Sequence, residues 1–163
     1  MNNLKLLVLV LLVATVRAAI AEDQQQAAKE NSLYARALFA SVAQMDKEWG
    51  NQPDAPDYHH MLVEADPEIT KGLPLQTGTY RVEYLDRVAQ IARCKKVRKE
   101  FAILKIHPIH DERGNLMITV SVYYLSHKKG RLMYGLSDWS DVEFRFDCDN
   151  QEFVVSSVKL GGI

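Results

Sequence analysis

Apolar and polar residues alternate through the C-terminal half of the chain, from Val97 to Leu160, and the alternation predicts three or four long strands. Leu116, Ile118, Val120, Val122 and Tyr124 fall on one side, against Met117, Thr119, Ser121, Tyr123 and Leu125 on the other. The first set is more apolar and is expected to face the core. Val142, Phe144 and Phe146 alternate with Glu143, Arg145 and Asp147, and Phe153, Val154, Val155 and Val158 supply a further strand. Between Val97 and Ile109, Phe101 and Ile103 oppose Ala102, Leu104 and Ile106. With apolar residues on both sides, this run reads as a central or doubly covered strand. Pro108 ends it, having no N–H to donate. Gly114-Asn115, Lys128-Lys129-Gly130 and Asp149-Asn150 mark the turns. Strands of this length twist, so the sheet is expected to curl around a helix. Gly135 predicts a bend between Gly135 and Trp139.

The N-terminal half carries a different period. Tyr34, Leu38, Val42, Met45 and Trp49 form one stripe of a helix beginning near Asn31. Gly50, Asn51, Pro53 and Pro56 stop it. Residues 54–66 predict one or two helical turns, capped by Asp54 or Asp57, with Met61, Leu62 and Val63 against the first helix. Pro67, Gly72 and Pro74 punctuate a loop. Residues 80–93 hold two patterns. Tyr80, Val82 and Tyr84 alternate like a strand, whereas Val82, Leu85, Ala89 and Ala92 make a helical stripe; composition favours a third helix, with Thr79 as its cap.

Met1–Ala21 stands apart. Lys5, the apolar run Leu6–Val16 and the small residues of Ala19-Ile20-Ala21 have the layout of a secretory signal peptide. A membrane anchor is the alternative, but the run is shorter than the roughly 20 apolar residues a span needs, and Arg17 interrupts it. The expected product is a secreted, extracellular single domain of residues 22–163, with no membrane attachment. Removing Lys5 and Arg17 leaves 18 basic against 21 acidic residues, a net charge of about −3. That balance argues against a nucleic-acid partner, which needs a basic face. The basic run Arg93–Lys99 is read as a solvated helix end, where cations suit the dipole. Cys94 and Cys148, an even count in an exported chain, predict a disulfide, with two free thiols as the alternative.

Candidate chemistry is sparse. His59 and His60 are adjacent and point about 100° apart on a helix, so they do not share a metal in the usual way. His107 and His110, followed by Asp111 and Glu112, are read as loop-end polar residues rather than as a weak metal site. Asp138 and Asp141 flank Trp139, near Tyr134, and mark a pocket candidate. No Gly-x-Ser-x-Gly, His-Glu-x-x-His or phosphate-binding glycine loop occurs. No cofactor or metal is expected.

The element order, the Trp49 helix end and the run Trp139-Ser-Asp-Val-Glu-Phe-Arg-Phe-Asp-Cys148 resemble the nuclear transport factor 2-like fold of the cystatin-like α+β group, over about Asn31 to Leu160. The resemblance implies N-terminal helices packed in the concavity of a bent antiparallel sheet of three to five long strands. The strand pair that such folds place before the last helix is not evident in Pro67–Thr79. Gln90-Ile-Ala-Arg-Cys94 does not match the Gln-x-Val-x-Gly tip of true cystatins, which argues against protease inhibition. Fold does not fix function, so two functions stay open. One is a non-catalytic module holding a small apolar molecule or a protein partner, with Trp49, Tyr58, His59, Tyr134, Asp138 and Trp139 as its pocket. The other is a cone-pocket enzyme of the isomerase or dehydratase kind, drawing on Asp46, Tyr58, His59, Asp138 or Asp141. The sheet face bearing Met117, Thr119, Ser121, Tyr123 and Leu125 is a candidate homodimer surface.

Overall fold

A computed structural model describes residues 32–53, 55–97 and 99–162. The export signal expected at Met1–Ala21 and the cap expected at Asp54 lie outside the described residues. Within them the fold is α+β: two helices and one large bent sheet of eight strands. The first helix, α1, spans Leu33–Trp49, and the second, α2, spans Arg87–Val97. The strands are β1 (His60–Glu64), β2 (Gln76–Thr77), β3 (Tyr80–Leu85), β4 (Phe101–Ile106), β5 (His110–Glu112), β6 (Asn115–Lys128), β7 (Arg131–Asp147) and β8 (Glu152–Gly162). They lie in the order β2-β3-β1-β4-β6-β7-β8, and β5 pairs with β6.

The sheet is mixed, not wholly antiparallel as the sequence led us to expect. β1 runs parallel to both β3 and β4, while β4, β6, β7 and β8 form an antiparallel meander. Parallel strands need a crossover, and α2 provides it between β3 and β4. Two-residue turns at Arg113-Gly114 and Lys129-Gly130 close β5–β6 and β6–β7, with positive φ at all four residues. The bend expected near Gly135 is present as a register shift. Val122 pairs with Asp138 but Tyr123 pairs with Leu136, so Ser137 is the extra residue of a bulge.

Successive residues of a strand face opposite sides, and this sorts the core in two. Met61, Val63, Val82, Leu104, Ile106, Ile118, Val120, Val122, Val142 and Phe144 pack with Leu38, Val42 and Met45 of α1. Leu62, Leu85, Ile103 and Leu125 face the other way and pack with Ala89 and Cys94 of α2. The two helices therefore lie on opposite faces and do not share one concavity. The outer face expected to be free for a homodimer is partly occupied: Met117, Ser121 and Leu125 are buried and Tyr123 packs into the α2 cluster.

Two predicted helices are strands in part, over residues 60–64 of the first and 80–85 of the second. Met61, Leu62 and Val63 are consecutive and all buried, which a strand achieves only when both its faces are covered. Tyr80–Leu85 is a strand as well, and the helix begins after it. Asp86, not Thr79, caps that helix: its carboxylate accepts from the Ala89 N–H at 2.8 Å. The Cys94–Cys148 bridge is not formed; both thiols are free. Cys94 sits beside Leu125 and Ser126 at one end of β6. Cys148 follows Asp147, past the Phe144↔Leu116 pair at the other end. Eleven residue steps from Ser126 to Asn115 are ~36 Å of strand, and a disulfide needs Cα atoms within ~7 Å.

Candidate functional site

A cleft opens where α1 runs out of length. Ser32 caps the helix, its hydroxyl accepting from the Ala35 N–H at 3.1 Å, and Arg36 pairs with Glu152 of β8 at 2.6 Å. From there α1 runs along the hairpin formed by β7 and β8. Its 17 residues span ~25 Å. The eight steps from Phe146 back to Asp138 in β7 span about the same, ~26 Å. At Gly50 the helix stops, the Gly50 N–H donating to the Asp46 carbonyl at 2.8 Å. The sheet continues, and the Ser137 bulge turns it. The uncovered stretch, walled by the loop after α1, is a cleft of about 450 Å³ lined by Trp49, Gln52, Ala55, Pro56, Tyr58, Tyr124, Ser137, Asp138 and Gly162. This volume suits a small ligand.

Its chemistry is aromatic and acidic. Trp49, Tyr58 and Tyr124 supply rings. Tyr58 is only 4% exposed. Burial, then the charge of Asp138, pushes its hydroxyl up to about 12, so it stays protonated. The Ser137 hydroxyl donates to Asp138 Oδ2. Asp138 Oδ1 lies against Gly162, where an added Cβ would come within 2.7 Å of that oxygen. Only glycine leaves the carboxylate this room.

Of the pocket residues expected from sequence, Trp49, Tyr58 and Asp138 do meet in the cleft. His59 stands outside the lining. Its ring stacks on Tyr80, centroids 5.2 Å apart, and its Nε2 lies 3.6 Å from Asp46 Oδ2, to which the Tyr80 hydroxyl donates at 3.2 Å. Tyr134 and Trp139 belong to the opposite face. Tyr134 was grouped with Asp138 by nearness in sequence, but the bulge between them turns its side chain to the other face, and Trp139 packs over Gly161. Gln52, Ala55, Pro56, Tyr124, Ser137 and Gly162 were not anticipated as pocket residues. Tyr124 carried a signal, being the last residue of the core-facing set in β6, next to the predicted bend.

A second polar group occupies the α2 face. Glu64 Oε1 accepts from Lys105 Nζ at 3.1 Å, while its Oε2 is buried with no hydrogen-bond partner among the described residues. The Tyr134 hydroxyl donates to Oε1 of the buried Gln90 at 2.7 Å, and Gln90 Nε2 donates to the Leu85 carbonyl at 3.0 Å. Burial and the nearby Glu64 push Tyr134 up to about 12. Farther along, His107 is hydrogen-bonded to the Ser121 hydroxyl at 3.0 Å, and the Thr119 hydroxyl donates to Asp141 Oδ1 at 2.6 Å. His107 and His110 do not converge: the His110 Nδ1 approaches the Pro108 carbonyl instead. No three His, Cys, Asp or Glu side chains among the described residues are grouped to hold a metal. Comparison with known protein families, with characterised proteins and with solved structures finds no match to this chain.

Proposed function

We propose that this protein is an exported, non-catalytic binding module that takes a small ligand in the cleft between the end of α1 and the bulge of β7. The observation that carries the reading is the convergence of Trp49, Tyr58 and Tyr124 around a single carboxylate, Asp138. Rings give contact area at low entropic cost, and one placed polar group gives orientation. The layout of Met1–Ala21 supports export. A nuclear transport factor 2-like architecture, with α1 in the sheet's concavity, is part of the proposal. It is supported by a strand pair, β1 and β3, ahead of the last helix and by the long bent meander.

The test uses the two tryptophans as an internal pair. In proton–nitrogen correlation spectra a ligand in the cleft shifts the indole N–H of Trp49 and leaves that of Trp139 in place. A panel of small aromatic and aliphatic molecules that never moves Trp49 at millimolar concentration would sink the proposal. An intact Met1 on protein purified from its native source would remove the export half of it.

A second reading has one observation in its favour. Asp46, His59 and Tyr80 meet beside the cleft, as an acid–base group of an isomerase or dehydratase would. The 3.6 Å separation of His59 and Asp46 is beyond hydrogen-bond length, and His59 is exposed. Turnover of a cleft ligand that disappears in His59→Ala would move the balance to this reading.

A further inference from the structure

We infer that the cleft selects a primary ammonium group carried on a small apolar body. The ammonium would sit at Asp138 and the body against Trp49, Tyr58 and Tyr124. The inference rests on the binding-module reading and narrows it to one charge class of ligand.

The charge of the lining carries the argument. Asp138 is the only charged side chain among the nine described lining residues, and no Lys, Arg or His stands with it. Asp46 also lies close enough to Tyr58 for both carboxylates to act on that hydroxyl. His59, next in sequence to Tyr58, is turned to Asp46 and stands outside the lining. An anion entering here meets negative charge with no cation among the described lining residues to offset it. A neutral molecule leaves Asp138 to lose water without a partner, which is costly. A cation resolves both.

Geometry agrees. The Ser137 hydroxyl occupies Oδ2, while no hydrogen bond among the described residues is made to Oδ1. A primary ammonium offers three donors and makes a charge-assisted bond to such an oxygen. Gly162 keeps the oxygen accessible, because any side chain there would meet it. Aromatic faces favour a cation over a neutral group of the same shape. The protonated Tyr58 hydroxyl adds a polar contact without adding charge.

Three probes of similar size separate the possibilities: phenethylammonium, neutral phenethyl alcohol and anionic hydrocinnamate, each titrated against the Trp49 indole N–H. Phenethylammonium is expected to bind at least about tenfold more tightly than phenethyl alcohol, with hydrocinnamate weakest. Asp138→Asn, which keeps the Ser137 contact, should bring the first two together. Raising salt to molar levels should weaken phenethylammonium alone, a measurement that needs no variant. Equal binding of all three probes would overturn the charge preference and leave the binding module standing. A tenfold preference that persists in folded Asp138→Asn would also overturn it, since the charge would then act from elsewhere. If no probe moves Trp49, this inference and the reading beneath it both fall.

Discussion

Leu104 and Lys105 are neighbours in β4, yet one is sealed beneath α1 and the other reaches Glu64 on the α2 face. The contrast runs along the whole sheet. The α1 face gathers Ile118, Val120, Val122, Val142 and Phe144; among the described residues its fully buried side-chain polar pair is Ser41 and Ser140, and its other polar pairs, such as Tyr80 with Asp46, lie toward its margin. The α2 face has a small apolar cluster at one end and a ladder of polar groups along the rest: Gln90, Tyr134, Glu64, Lys105, His107, Ser121, Thr119 and Asp141. Helix length accounts for much of this. α1 has 17 residues and covers a broad stretch of sheet, whereas α2 has 11 and presents only Gln90 and Cys94 as buried residues. Stability is therefore concentrated on one face, and polar side chains hold the other in register. The cleft belongs to the stable face, at the margin where helical cover ends.

The largest expected effect tests that concentration. Leu38→Ala, in the middle of the α1 stripe, should cost ~3 kcal/mol in urea unfolding, the usual range for a fully buried leucine. Leu132→Ala, only partly buried in the α2 cluster, should cost ~1 kcal/mol. Similar losses at the two sites would mean that the faces share the load and that the contrast is only one of composition.

How far this could be read from sequence differs between the faces for the same reason. The α1 stripe from Tyr34 to Trp49 and the alternation of β6 and β7 are visible because one side of each element is uniformly apolar. β1 was misread because residues covered on both faces show no period: Met61-Leu62-Val63 looks like a helix segment or a strand alike. β3 did show a strand alternation at Tyr80, Val82 and Tyr84, which the helix-forming composition of the residues after it outweighed. The parallel pairing of β1 with β3 and β4 joins residues far apart in sequence, which local pattern does not encode. The cysteine pair was misassigned because an even count says nothing of distance. A third of the cleft lining was legible: Trp49, Tyr58 and Asp138. Trp49 is the last residue of the helix that Gly50 stops, and Asp138 lies within β7 at the bend that Gly135 predicted. The placement of Tyr134 rested on nearness in sequence to Asp138, which gives no side-chain direction, and the extra residue Ser137 turns the two to opposite faces.

The polar face invites a sharper test. Lys105→Met leaves Glu64 with neither oxygen paired among the described residues. Both side chains keep some exposure, so solvent softens the penalty and ~1–2 kcal/mol is expected. Adding Glu64→Leu should restore most of it, because the orphaned acceptor goes too. A double variant no better than Lys105→Met would show that Glu64 has another partner. The α1 face gives a matched control. Ser140 donates to Ser41 at 2.6 Å and both are fully buried. Ser140→Ala should cost ~1 kcal/mol, and Ser41→Ala added to it should cost little more. Strict additivity would mean that the two hydroxyls are satisfied independently.

The smallest effect is a dependence on pH that only the polar face should show. His107 is held below its ordinary value, first by burial, then by Lys105 and more weakly by His110; Glu64 and Asp141 oppose the shift. The folded protein therefore prefers the neutral ring, while the unfolded chain takes up a proton near the usual value of about 6.5. The sign follows from linkage: the contribution of His107 is fully present above about pH 6.5 and is lost as the pH falls through the depressed folded value. Unfolding measured from about pH 7.5 down to 5.5 should show stability declining, before most carboxylates titrate. His107→Gln, which retains a partner for the Ser121 hydroxyl, should flatten the decline. Ser140→Ala, on the other face, should leave its slope unchanged. A wild-type slope that survives in His107→Gln would assign the titration to another histidine. The polar face would then lose its claim to be the pH-sensitive half of the sheet.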